Sequence, residues 1–213
     1  MKTRLLIPGL LATAMVAFTG CVTKPYDYTN FRAHPPRSIL VLPPLNESTD
    51  TRGTYGYFST VTRPLAEMGY YVYPVVVVDQ YMKENGLPTA GEMHQIPLDK
   101  IREIIGADAV LYITLKQYGS KYQVVSSTTI VTAEGKLVDV KTGTTLWEGT
   151  ASVQQSSSSG NILADLVVAA VDQAINSSTD QAHDLASQVN IQMFTTKDHG
   201  LLYGPYFPKE KEH

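Results

Sequence analysis

GADAVLYITLKQY, residues 106–118, decides how this chain folds. Ala109 to Leu115 is a continuous apolar run of strand length, the mark of a strand buried on both faces. It also divides two patterns. Upstream, short apolar runs alternate with helically spaced segments. Downstream, β-branched residues and turn formers dominate.

Working upstream, Leu98 to Ile105 repeats Ile101, Ile104 and Ile105 and stops at Gly106, so a short helix is expected. Val75 to Asn85 follows Pro74, a good early helical residue, places Val78, Tyr81 and Met82 on one face and closes at Gly86. Its four valines also permit more strand. Gly69 to Tyr73 is a second strand. Tyr57 to Met68 is a helix on the spacing of Phe58, Val61, Leu65 and Met68, with Pro64 inside it and Gly69 ending it. Ser38 to Leu42, closed by Pro43-Pro44, is the first buried strand, and PPLNESTDTRG is a loop.

Downstream, Tyr122 to Val131 reads as strand. Gly135 to Val140 and Thr145 to Val153 flank Lys141-Thr142-Gly143-Thr144, a hairpin turn with glycine available for positive φ. Ser156 to Gly160 reads as a flexible joint. A long helix capped at Ser159 or Asn161 should follow, with Leu163, Leu166, Val167, Ala170, Val171, Ala174, Ile175, Ala182, Leu185, Ala186, Val189 and Met193 on its stripe. Asn176-Ser177-Ser178 is its expected weak point. Strands separated by helices pair in parallel through right-handed crossovers, and hairpin strands pair antiparallel. The expected class is therefore α/β. A single mixed sheet, parallel in its first half and an antiparallel meander in its second, is flanked by helices, with a long helix near the C-terminus.

The N-terminus carries a different message. Lys2 and Arg4 precede an uncharged run, Leu5 to Phe18, and the small pair Thr19-Gly20, in the order of a secretory signal. The run is shorter than the roughly 20 apolar residues that span a bilayer. Cys21, the only cysteine in 213 residues, comes next. Phe18-Thr19-Gly20-Cys21 resembles the lipobox of bacterial lipoproteins, with Phe18 in place of the usual leucine. The resemblance implies cleavage before Cys21 and lipidation of its thiol. Residue 22 is valine, not the aspartate that retains such proteins in the inner membrane, which implies the outer membrane. The chain divides into a signal peptide (1–20), a lipidated tether (21–37), an α/β domain (38–195) and an irregular C-terminal tail (196–213). Extended, the tether would reach about 50–58 Å.

Three further motifs carry a second resemblance. ILVLPPLNEST, then Gly106-Ala107-Asp108-Ala109-Val110, then Asp139, Thr142, Gly143, Leu146 and Trp147 of a D-x-x-T-G-x-x-L-W hairpin look like the TolB N-terminal-like and curli-secretion (CsgG-like) envelope lipoproteins. The chain is similar overall to a family of Gram-negative lipoproteins of unknown function known mainly as a vaccine-candidate antigen, whose genes often neighbour a CsgG-like lipoprotein. This implies self-association or partner binding, with a CsgG-like lipoprotein as a possible partner. No paired long amphipathic strands of a transmembrane barrel stand out. Read without the resemblance, Asp108 caps or pairs locally, Trp147 is core and the Thr-Gly turn is geometry.

Chemistry is scarce. Full-length net charge is −3. Removing residues 1–20 takes Lys2 and Arg4 and leaves it near −5, no footprint for nucleic acid. His34, His94, His183, His199 and His213 show no metal spacing, and Glu92-x-His94 is weak. There is no G-x-S-x-G elbow, phosphate cradle or dinucleotide fingerprint. Asp79, Glu84, Asp99 and Glu103 read as solvated charges. No cofactor is expected. The function expected is that of a non-enzymatic outer-membrane lipoprotein, an accessory or scaffold in an envelope secretion or assembly complex and a homo-oligomer. A regulator of a peptidoglycan synthase is the alternative, and an envelope hydrolase the third reading. The tail, with Leu201, Leu202, Tyr203, Tyr206 and Phe207, is too apolar to be free and should pack on its own domain, a second copy or a partner.

Overall fold

The structure, a computed structural model, describes residues 26–123, 126–158 and 169–208. Its centre is a mixed sheet of β1 (Ser38–Val41), β2 (Leu45–Asn46), β3 (Tyr71–Val72), β4 (Ala109–Gln123), β5 (Ser126–Asp139) and β6 (Thr145–Ser158). The spatial order is β3-β1-β4-β5-β6, with β2 also beside β4. β1 lies parallel to β3 and β4, and β4, β5 and β6 form the antiparallel meander. The parallel half and the meander therefore share one sheet, as the pattern change at Ala109 predicts.

Alternation splits the core in two. Ile39, Val41, Ala109, Leu111, Ile113 and Leu115 point to the larger side. There they meet α2 (Gly53–Glu67) and α6 (Ala169–Thr195). Leu40, Leu42 and Val110 point to the other side, under Val78 and Met82 of α3 (Val75–Glu84), Met93 of α4 (Ala90–Met93) and Ile101 of α5 (Leu98–Ile104). β1 and the start of β4 are thus buried on both faces, which is why they read as unbroken apolar runs.

The four valines fold as helix. Val76 and Val77 are 73% and 63% exposed while Val78 is buried, so burial follows the helical pairing of Val78 with Met82. Pro74 at the N-cap has no N–H to extend the β3 ladder. Gly69, Gly86 and Gly106 end α2, α3 and α5 at φ of 87°, 87° and 77°, a conformation other residues adopt only at a cost.

Several expectations need correction. Residues 22–37 do not form a free tether from Tyr26 onward. α1 (Thr29–Ala33) buries Phe31, and Tyr26 and Tyr28 pack on the larger core; aromatics at 26, 28 and 31 outweigh the prolines that suggested a linker. Ser156–Ser158 are not a joint: they complete β6 opposite Ser126–Thr128. β4 and β5 run for 15 and 14 residues, β4 passing through Lys116–Lys121 with a bulge at Lys116, so the expected strand Tyr122–Val131 is divided between the two; a ladder with one wet face tolerates polar side chains. Long paired amphipathic strands are therefore present, and α6 covers their apolar side. α2 begins at Gly53, four residues before the expected start. α4 was not foreseen, although Thr89 and Glu92 form a capping box that the T-x-x-E spacing announces. α6 runs without interruption through Asn176–Ser178. Its expected positions Leu163, Leu166 and Val167, and its expected caps, lie outside the described residues.

Candidate interaction surfaces

The motif residues prove to be structural supports. Asp108 does not pair locally: its carboxylate accepts hydrogen bonds from the N–H of Arg37 (3.0 Å) and of Ser38 (3.1 Å) and from the Ser38 hydroxyl (3.2 Å). It thereby fastens the start of β1 to the start of β4. Partial burial pushes the carboxyl pKa up, but these donors and the Arg37 guanidinium outweigh it and hold the pKa below the usual value. A carboxylate whose pKa is lowered by folding adds stability that is fully present above its unfolded pKa, about 3.9, and is lost as pH falls through the folded value. Asp108→Asn is accordingly expected to lower stability at neutral pH by about 1 kcal/mol, roughly 2–4 °C in Tm, with the deficit shrinking as pH drops below about 4. Melting curves between pH 7 and pH 3 check this; a pH-independent deficit would contradict it.

Asp139 shapes the hairpin turn in the same way, accepting from the N–H (2.7 Å) and hydroxyl (2.6 Å) of Thr142. Gly143 supplies φ of 72°. Trp147 is fully buried, donates Nε1–H to the carbonyl of His199 at 2.8 Å and leans on Phe194 with ring centroids 5.9 Å apart.

The other candidates do not converge. Glu92 caps α4 through Thr89, whereas His94 turns away, with Nε2 2.9 Å from the carbonyl of Pro43 and its ring edge-on to Tyr112. Burial lowers the His94 pKa despite that bond, so His94 is a neutral core-side residue near pH 7. His183 Nδ1 lies 3.2 Å from the Gly56 carbonyl. Asp79 pairs with Lys83, and Glu103 with Lys100. No group of three or more His, Cys, Asp and Glu among the described residues could hold a metal ion, and no helix there is long and apolar enough to cross a membrane. Cys21 and His213 lie outside the described residues. Tyr57 Oη and Asn190 Oδ1 are buried without a hydrogen-bond partner among the described residues.

What the fold offers instead is surface. β6 forms one edge of the sheet. Glu148 turns its N–H away from β5, to the Tyr26 hydroxyl at 2.9 Å. Antiparallel alternation makes Thr150, Ser152 and Gln154 face outward too. All three are exposed, and none makes an off-sheet backbone bond among the described residues. From Gly149 to Ser158 the strand has no charge and no proline, the devices that usually protect an edge. Sequence reading missed this edge because edge position is set by topology, not by local pattern. A second surface is an apolar groove of about 430 Å³ between α3 and α5, lined by Tyr81, Leu87, Ile96, Ile101 and Ile104. The third is the tail. It packs on its own domain: Leu201 is buried, Tyr70 donates to the Leu202 carbonyl, and the N–H groups of Gly204 and Tyr206 bond the carbonyls of Met68 (2.8 Å) and Gly69 (3.0 Å).

Comparison with known proteins gives consistent matches. The model of a family described as "Putative lipoprotein GNA1162-like" matches residues 26–206. A relative from Neisseria meningitidis serogroup B, "Putative lipoprotein NMB1124/NMB1162", is 42% identical over 212 residues, 97% of this chain and 98% of its own. The crystal structure of lipoprotein GNA1162 from Neisseria meningitidis superposes with a TM-score of 0.55 at 43% identity, over 68% of this chain and 99% of that one. A PelC dodecamer from Paraburkholderia phytofirmans, at 15% identity and a TM-score of 0.46 over 74% of this chain and 87% of that one, is too distant to carry an argument.

Proposed function

We propose that this chain, which belongs to the GNA1162-like lipoprotein family, is anchored to the outer membrane through Cys21. There it serves, without catalysis, as a self-associating accessory of an envelope secretion or assembly complex. The observation that carries this reading is the open edge of β6. At Thr150, Ser152 and Gln154 the outward backbone has no hydrogen-bond partner among the described residues and the side chains are uncharged and exposed, a template for another strand. A second copy can use the same edge in antiparallel register, giving a two-fold pair in which each β6 serves the other. A CsgG-like lipoprotein is the further partner the reading includes. The scatter of histidines and carboxylates described above supports the non-catalytic part.

The alternative, a regulator reaching from the outer membrane to a peptidoglycan synthase, loses support from the same structure. The chain is packed on its domain from Tyr26, so Val22–Pro25 alone separate Cys21 from the fold.

Gln154→Pro tests the edge. Its N–H faces away from β5, so proline there removes an outward donor and leaves the β5 ladder intact. Self-association measured by sedimentation is expected to weaken about tenfold or more, about 1.4 kcal/mol, with the melting temperature little changed. Unaltered association would remove β6 as the contact.

A further inference from the structure

Resting on the lipidation at Cys21 proposed above, we propose that the face built by α1 and the C-terminal tail lies against the lipid surface, with Tyr203 and Tyr206 at headgroup depth. The first observation is the length of the leash. Tyr26 is held on the domain: its N–H donates to the Asp198 carbonyl at 3.1 Å, its hydroxyl accepts from Glu148, and its ring sits 4.9 Å from that of Tyr28. Five Cα steps connect it to Cys21, at most about 18 Å of extended chain. A lipid-bearing residue stays at the bilayer surface, so the Tyr26 corner of the domain stays within that distance of it.

The second observation is the segment that leads away from that corner, along the end of the sheet toward β3. The segment that binds Tyr26 through Asp198 also takes the Tyr28 hydroxyl on the Gly200 carbonyl and continues into the tail. Five and eight residues beyond Asp198 come Tyr203 and Tyr206, 51% and 65% exposed. Their exposure is not fraying. Gly204 and Tyr206 are bonded to the end of α2, and Tyr203 stacks on Phe207 with centroids 3.9 Å apart. Rings fixed in this way give up little entropy on contact, and tyrosine, apolar in body and polar at its tip, suits the boundary between acyl chains and headgroups. The exposed charges nearby are mixed: Arg32 and Lys197 against Asp27 and Asp198. The contact is therefore made by ring burial and does not require anionic lipid.

The test uses the lipidated full chain in phosphatidylcholine vesicles that carry a lipid with a nitroxide at headgroup depth. Tyr206→Trp introduces an indole on the tail face, Ile104→Trp places one on α5 across the sheet, and buried Trp147 supplies the same background in both. Quenching of the first is expected to exceed that of the second by about twofold or more. Equal quenching in vesicle-bound protein would overturn this orientation and leave the anchor standing. Protein that stays in the supernatant, or that lacks acyl mass on Cys21, would overturn both.

Discussion

Replacing Gly149 with alanine is expected to lower stability by about 3–5 kcal/mol, as much as removing a buried aromatic side chain. A Cβ at Gly149 would lie 2.2 Å from Cζ2 and 2.6 Å from Cη2 of Trp147. The two residues share a face of β6, and the indole lies flat over the glycine. Its present seat is defined on several sides: Phe194 closes one, the Met193 and Trp147 side chains both lie against Gly135, and Nε1 is bonded to His199. Alanine therefore expels the ring, loses its burial and leaves a donor unpaired. At roughly 2–4 °C per kcal/mol for a domain of this size, the melting temperature should fall by about 10 °C. Gly86→Ala is the comparison. It meets nothing within 4 Å but must hold φ of 87°, a backbone cost of about 1 kcal/mol. Equal losses in the two variants would mean that Trp147 does not depend on the bare backbone beneath it.

Cys21→Ser is expected to abolish membrane attachment. Serine cannot form the thioether, and each buried CH₂ of an acyl chain is worth about 0.8 kcal/mol, so losing even one long chain moves the partition by many powers of ten. The variant should appear as an uncleaved or soluble precursor, while the wild-type chain sediments with membranes and carries acyl mass on its first mature residue. Retention of a processed variant chain, cut before residue 21, in the membrane fraction would refute the anchor.

The sheet was legible where burial is two-sided. SILVL and AVLYITL announce their strands because Ile39–Leu42 and Ala109–Leu111 are buried on both faces and so must be apolar in succession, and the glycines at 69, 86 and 106 announce helix ends because φ is positive there. Legibility failed where polarity and local structure part company. Lys116–Lys121 and Ser156–Ser158 look like loop and are strand, since the ladder is held by backbone and one side meets water. Tyr26–Ala33 looks like a linker and is packed, since three aromatics suffice to hold a five-residue helix. Asp108 was found by its motif, but its partner lies 70 residues upstream, a distance no local pattern encodes. The β6 edge was illegible for the same reason: its exposure follows from the place of β6 in the sheet order.

Crosslinking the lipidated protein in intact cells, and identifying every covalent partner by mass spectrometry, tests the central claim most directly. The account predicts crosslinks between copies that join β6 to β6, together with a second envelope component such as a CsgG-like lipoprotein. Crosslinks that avoid β6 and lead only to a peptidoglycan synthase would contradict it.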